Sequence, residues 1–390
     1  MIVVIADDFT GAAELAGIAW RFGLNAEVQT KFCMNRSPDV LIVDTDTRSE
    51  NSQNAEEILI RLARELAPVQ FDWLYKKTDS VLRGHVILEL EILMRELEFA
   101  GALLVPANPS AKRVVKNGIY SIDGVLLCDT DFANDPEYPR VNSDVLSLLG
   151  ENQDQHIKVL EAGERVKPVG IQIGECQSVN DLDSWASQLT MSMIPAGASD
   201  FFNQILKSKN YHAEQTQTRS TFRHQYPMLI MVGSVSEQSK QHLNQYRKLG
   251  IPICNPPQEI NELHLSAQTL TMNWAEQIIT YFKSNSIVVV STHNPIGKGD
   301  TGLSKLMTSV LSSLTELIYD KIKVMEIVIE GGATASSIVR RLGWNHLIPI
   351  YELGKGIVVL QTVERSESQL IVKPGSYDWP EDFFDRIVIY

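Results

Sequence analysis

The sequence predicts an α/β protein built as two α/β domains, each with a mostly parallel sheet. Three observations carry this. Short apolar runs alternate with longer amphipathic ones from the first residue onward. The chain has 390 residues, more than one ordinary hydrophobic core organises. The alternation lapses near residues 207–225, which are polar and poorly patterned, and then restarts. Repeated strand–helix–strand units build a parallel sheet covered by helices. The N-terminal domain is therefore placed at 1–207, a linker at 208–225 and the C-terminal domain at 226–390.

In the first domain, Ile2–Ala6 reads as a buried strand. Residues 11–22 read as a helix, with Leu15, Ile18, Ala19 and Phe22 on one face. Strands follow at 40–43, 71–75 and 101–105, with helices at 55–66 and 86–97 between them. Residues 106–143 are rich in Pro, Asn, Asp and Gly and break the pattern, which predicts a long irregular segment; within it, 129–136 is a candidate lid. A strand at 169–173 and a helix at 181–189 resume the alternation. The second domain starts at strand 228–232. Helix 237–249, strand 287–290, helix 303–317, strand 326–329, helix 334–342 and strands near 347–351 and 369–372 follow.

With 48 acidic and 35 basic residues the net charge is −13. That opposes nucleic acid or an anionic membrane as partner, since both reward basic surfaces. The four cysteines form no C-x-x-C pair, so neither zinc nor a disulfide framework is expected. The apolar start is stopped early by Asp7 and Asp8, and no run approaches the ~20 apolar residues of a membrane span. A reducing cytoplasmic setting is expected. Whether copies associate as a homo-oligomer stays open.

Ligands of open parallel sheets sit beyond the carboxyl ends of the strands. Asp7-Asp8-Phe9-Thr10-Gly11 follows the first strand. Asp44-Thr45-Asp46-Thr47-Arg48 follows the second, and Lys76-Lys77-Thr78-Asp79-Ser80-Val81-Leu82-Arg83-Gly84 the third. In a parallel sheet these clusters converge on one rim. Arg48, Lys77 and Arg83 suit a carboxylate. Asp8 and Asp79 suit sugar-like hydroxyls, and either could act as general base. Thr10 and Gly11 open a helix whose free N–H groups favour an anion. Any one cluster could equally be an ordinary helix cap. His85 reads as a helix-start residue, and Lys112 with Arg113 as either rim bases or a solvated loop.

Three glycine or serine turns follow strands of the second domain: Gly233-Ser234-Val235-Ser236, Gly331-Gly332-Ala333-Thr334 and Lys373-Pro374-Gly375-Ser376-Tyr377. Glycine lets backbone N–H groups approach phosphate oxygens, so together the turns suggest a nucleotide. No Walker motif is present. The segment 297–302 matches G-x-G-x-x-G but stands too far from its strand for a dinucleotide fingerprint.

Asp7-Asp8-Phe9-Thr10-Gly11-Ala12, Lys77 through Gly84, and Gly118-Ile119-Tyr120 through Asp135-Pro136 resemble the four-carbon acid sugar kinase family, in the family's order over nearly the whole chain. The resemblance implies ATP-dependent phosphorylation of a hydroxyl on threonate, erythronate or 3-oxo-tetronate, in a cleft between a sugar-acid domain and a nucleotide domain. It implies Mg2+ carried with ATP. Asp8 and Asp79 become the catalytic candidates. Asp7, Thr10, Arg48, Lys77, Ser80, Arg83, Gly84 and Arg113 become the acceptor contacts. Ser234, Ser236, Gly331, Gly332, Ala333, Thr334, Gly375 and Ser376 become the ATP contacts. The sequence departs from the family at Ala333, where an acid is usual, and after Gly375. Two other readings stay open: a non-catalytic member that binds a sugar acid, and a NAD-dependent dehydrogenase using 297–302.

Overall fold

The computed structural model describes residues 1–135, 137–150, 157–212, 222–234, 236–257, 267–292, 301–375 and 377–387. Ser376 and most of 297–302 lie outside the described residues. Two compact units are present, Met1–Glu214 and Gln215–Tyr390.

The first unit contains β1 (Ile2–Ala6), α1 (Phe9–Arg21), β2 (Ala26–Gln29), β3 (Val40–Asp44), α2 (Ser52–Leu66), β4 (Trp73–Lys77), α3 (Val86–Glu96) and β5 (Gly101–Val105). It continues with β6 (Arg113–Lys116), β7 (Ile119–Ile122), β8 (Val125–Leu126), α4 (Val145–Leu148), β9 (Ile157–Leu160), β10 (Gly170–Gly174), α5 (Val179–Ser187), β11 (Met193–Gly197) and α6 (Ser199–Ser208). Its main sheet runs β2-β3-β1-β4-β11-β5-β10-β9, with every pairing parallel. All five residues of β1 are buried, as expected of a parallel strand covered on both faces. The chain leaves β1 to place β2 and β3 on one side and β4 on the other. Such a reversal opens the crevice in which α/β sheets bind ligands.

Three expectations change. β4 reaches Lys77, so Lys76 and Lys77 belong to the strand, pairing with Ile5 and Ala6. Their polarity hid this: the Lys76 charge is neutralised inside the fold by Glu89, 2.5 Å away. Residues 106–143 are not wholly irregular, since β6, β7 and β8 form a small antiparallel sheet. The expectations also omitted β2, whose sequence Ala-Glu-Val-Gln looks exposed. All four of its residues are buried, and Gln29 donates to Glu27 at 2.9 Å.

The second unit contains β12 (Met228–Val232), α7 (Glu237–Lys248), β13 (Ile253–Cys254), α8 (Ala267–Phe282), β14 (Ile287–Ser291), α9 (Thr301–Ile322), β15 (Glu326–Glu330), α10 (Gly332–Arg341), β16 (His346–Gly354), β17 (Ile357–Thr362), β18 (Gln369–Lys373) and α11 (Phe383–Arg386). Strands β13-β14-β12-β15-β18 are parallel, and β17 and β16 extend them antiparallel. Ile230, Val232, Val289, Val328, Val359 and Ile371 form part of a continuous buried core. Among the described residues no helix is long and apolar enough to cross a membrane.

Candidate active site

The register β3-β1-β4 places Asp44, Ala6 and Lys77 side by side. The three clusters that follow these strands therefore meet at one rim. Asp8 has extended backbone and caps α1, accepting from Gly11 N–H at 3.0 Å and from the Thr10 hydroxyl. Arg48 crosses from β3. Its Nε donates to Asp7 Oδ2 at 2.9 Å and its Nη2 to Asp7 Oδ1 at 3.0 Å. The same Nη2 donates to Asp8 Oδ1 at 2.7 Å, and Nη1 lies 3.6 Å from Asp79. Gly84, at φ +86°, leaves room for this: a Cβ there would stand 3.2 Å from Arg48 Cγ.

Asp79 is saturated. It accepts from Val81 N–H (3.1 Å), Arg83 N–H (3.2 Å), Arg83 Nε (3.0 Å) and Arg83 Nη2 (2.8 Å). Arg83 Nη1 continues to Asp135 at 2.8 Å. Burial pushes the Asp79 carboxyl up, but Arg83 and Arg48 outweigh it and hold its pKa well below the usual range. Burial likewise raises Asp8, and Arg48 and Lys77 override it, leaving its pKa lowered. Both carboxylates are held ionised.

The donors of Arg48 and Arg83 thus serve four of the protein's own carboxylates, Asp7, Asp8, Asp79 and Asp135, which compete with any ligand for both guanidinium groups. Arg113 differs. It donates to the Ser80 hydroxyl and lies over the Phe132 ring at 5.4 Å, with Arg83 over the same ring at 5.6 Å. Lys112 turns away and pairs with Asp123 at 3.0 Å. Segment 129–135 closes on the rim through Phe132 and Asp135, and the Tyr138 hydroxyl donates to Arg48 O. His85 begins α3 and contacts Glu50 O at 2.7 Å.

Lys77 lies along the first turns of α1. Its Nζ donates to Thr78 O at 3.0 Å and stands 4.0 Å from Glu14 Oε2. A Cβ on Gly11 would come within 3.0 Å of that Nζ and 2.7 Å of Asp8 Oδ1. Glu14 is buried, and its Oε1 has no hydrogen-bond partner among the described residues. Sequence reasoning missed Glu14, Asp135 as the partner of Arg83, and Tyr138. An acid amid Ala and Leu on an otherwise apolar helix face was the available signal for Glu14.

The turns of the second unit also converge. Ser236 caps α7 and its hydroxyl donates to Gly375 O at 2.7 Å. The Ser234 hydroxyl donates to Ser236 Oγ at 3.2 Å. Gly375 packs so closely that a Cβ would stand 2.8 Å from Ser234 Cβ. Gly331 precedes α10, whose start at Gly332, Ala333 and Thr334 has no side-chain cap among the described residues. Gly331 N–H donates to Lys373 O at 3.0 Å. These glycines allow the turns to close on one another, and the uncapped α10 start supplies N–H groups suited to an anion. Among the described residues no group of three His, Cys, Asp or Glu side chains is arranged to hold a metal ion.

Comparison with known families meets this geometry. Residues 2–185 match a family model described as a sugar-binding N-terminal domain, and residues 229–377 one described as a nucleotide-binding C-terminal domain. The protein is thus of the class that joins a sugar-binding domain to a nucleotide-binding one. It belongs to the four-carbon acid sugar kinase family. Relatives include a 3-oxo-tetronate kinase of Haemophilus influenzae, 22% identical, spanning 99% of this chain and 98% of that protein. A D-threonate kinase of Salmonella typhimurium is 24% identical over 75% of this chain and 70% of its own length. A D-erythronate kinase of Heliobacterium modesticaldum is 27% identical over 40% of this chain and 36% of its own. Crystal structures of proteins from Haemophilus influenzae (TM-score 0.71, 19% identity, 98% of each chain) and Salmonella typhimurium LT2 (TM-score 0.79, 18% identity, 99% and 98%) share the fold.

Proposed function

We propose that the protein transfers the γ-phosphoryl group of ATP to a hydroxyl of a four-carbon sugar acid of the threonate, erythronate or 3-oxo-tetronate type. One observation carries the reading: Asp8, at the head of α1, is held ionised between Arg48 and Lys77. The first unit is the acceptor side, and the three turns of the second are the nucleotide side.

Phosphoryl transfer is dominated by positioning and charge stabilisation, and its loose transition state asks little of a base. That suits Asp8, whose lowered pKa makes it a weak base but a firm acceptor. It receives the substrate O–H, orients the oxygen, and takes the proton as the new O–P bond forms. The bond from the γ-phosphorus to the β,γ-bridging oxygen breaks, and its electron pair leaves with ADP. Asp79 holds Arg83 in place. Lys77 and Arg113 take the substrate carboxylate, because Arg48 and Arg83 are committed to Asp7, Asp8, Asp79 and Asp135. Mg2+ would be held by ATP oxygens and water and would neutralise phosphate charge.

An assay of ADP release across four-carbon acids tests this. Turnover is expected with at least one, falling on the order of 10²–10⁴-fold in Asp8→Asn. Wild-type protein that turns over none of them with ATP-Mg sinks the proposal. Ala333, which offers only backbone at α10 where the family has an acid, favours a second reading: a sugar-acid binder that does not use ATP. Thermal stabilisation by the acid but none by ATP-Mg would select it.

A further inference from the structure

The three turns of the second unit are tied to one residue. Glu330 ends β15, and its backbone oxygen accepts from Gly233 N–H and Ser234 N–H, each at 3.1 Å. The following amide, Gly331 N–H, joins the second turn to Lys373 O. The Glu330 side chain is fully buried. It accepts from His242 Nδ1 at 2.9 Å, Trp379 Nε1 at 2.9 Å, Ser239 Oγ at 3.3 Å and Tyr246 OH at 3.4 Å. Lys373 Nζ lies 3.3 Å from the same carboxylate.

Lys373 is equally buried. A lysine ending a strand in a nucleotide-binding domain invites assignment as a phosphate ligand. The donor count opposes that. An ammonium has three N–H groups. One faces Glu330, and the others donate to Pro374 O at 3.1 Å and Tyr377 O at 2.6 Å. All three are spent inside the domain. The chain after β18 is thereby curled over the ammonium, and this curl carries Gly375 onto Ser234 and the Ser236 hydroxyl.

We propose that Glu330 and Lys373 are positioning residues that set the register of the three turns, so that their removal is read in nucleotide affinity and not in sugar-acid affinity. The proposal rests on the nucleotide reading of those turns. Backbone donors aimed at phosphate oxygens must be held to within about 0.5 Å, which a shared buried charge pair can enforce. Neither side chain touches the nucleotide itself.

Lys373→Met alone leaves a buried carboxylate uncompensated and can fail by misfolding. The informative variants are the double Glu330→Gln/Lys373→Met, which removes both charges at similar volume, and Lys373→Arg, which keeps the charge but whose planar fork cannot reproduce three diverging bonds. Both are expected to stay folded by thermal melting. Each should raise KM for ATP at least tenfold, leave the sugar-acid Kd measured without nucleotide unchanged, and speed amide exchange at Gly375 and Tyr377. Wild-type KM and wild-type exchange in either folded variant overturn the proposal. A wild-type protein that does not bind ATP overturns the nucleotide reading and the affinity claim with it. Exchange, read without nucleotide, still decides whether the pair positions the turns.

Discussion

Arg48 and Asp7 face each other in a two-point pair, Nε to Oδ2 at 2.9 Å and Nη2 to Oδ1 at 3.0 Å, and the same guanidinium reaches Asp8. Arg48→Met would leave Asp7, Asp8 and Asp79 facing one another without their shared cation. Breaking one side of a buried pair costs about 3–5 kcal/mol. A clear drop in Tm and loss of turnover are expected. Arg48→Lys should recover part of the Tm but little activity, because an ammonium cannot make the two-point contact. Full activity in Arg48→Lys would show that charge alone suffices.

The lowered pKa values of Asp8 and Asp79 predict the acid limb of stability. Folded values below the unfolded carboxylate value of ~3.9 stabilise the fold above that pH. The contribution is lost as pH falls through the folded values. Tm should therefore hold steady from neutral pH down to about 5 and fall steeply below about 4. Asp79→Asn should start lower and fall less steeply. An unchanged acid slope in Asp79→Asn removes Asp79 from this account.

Gly11→Ala separates helix stability from site geometry. Alanine favours a helix interior over glycine by about 1 kcal/mol. Here the added methyl would press on Asp8 Oδ1 and Lys77 Nζ. Turnover is expected to fall more than tenfold while Tm shifts by only a few degrees. Retained turnover would mean that the Lys77 position does not matter.

Adjacent lysines predict opposite phenotypes. Lys76 pairs with Glu89 at 2.5 Å in the interior, and Glu89 also accepts from Thr47 at 2.5 Å. Lys76→Met should cost stability, about 3–5 kcal/mol, with substrate KM unchanged in the folded fraction. Lys77→Met should raise sugar-acid KM with a smaller Tm loss. Melting curves and KM values for both variants check the pair, and reversed phenotypes would invert the assignment.

Arg113→Ala tests the carboxylate contact. Arg113 is half-buried, and its guanidinium donates to the Ser80 hydroxyl. Sugar-acid KM should rise roughly 10–100-fold, in line with about 1.5–3 kcal/mol for a hydrogen bond to a charged group, with ATP KM and Tm little changed. An equal rise in both KM values would point to a general distortion instead.

Much of the fold was legible. Strands β1, β5 and β12 are unbroken apolar runs with turn residues beyond them, and the structure places them at those bounds. Helix α1 begins where Asp8 can cap it. Strands β2 and β4 were omitted or misplaced because their polar residues find partners only once folded: Glu27 and Gln29 pair with each other inside buried β2, and Lys76 pairs with Glu89 of α3. The segment 106–143 hid a small sheet for the same reason, since antiparallel pairing of short mixed strands leaves a weak period.

The sequence by itself determined that acids, bases and hydroxyls collect after β1, β3 and β4, because composition at strand ends is local. Only the tertiary structure decided which of them are already spent. Arg48 and Arg83 are committed to the protein's own carboxylates, Lys76 is closed in the interior, and Lys373 gives all three donors inward. A charge declares its sign in the sequence, but its partner is chosen by residues tens of positions away that packing brings within 3 Å.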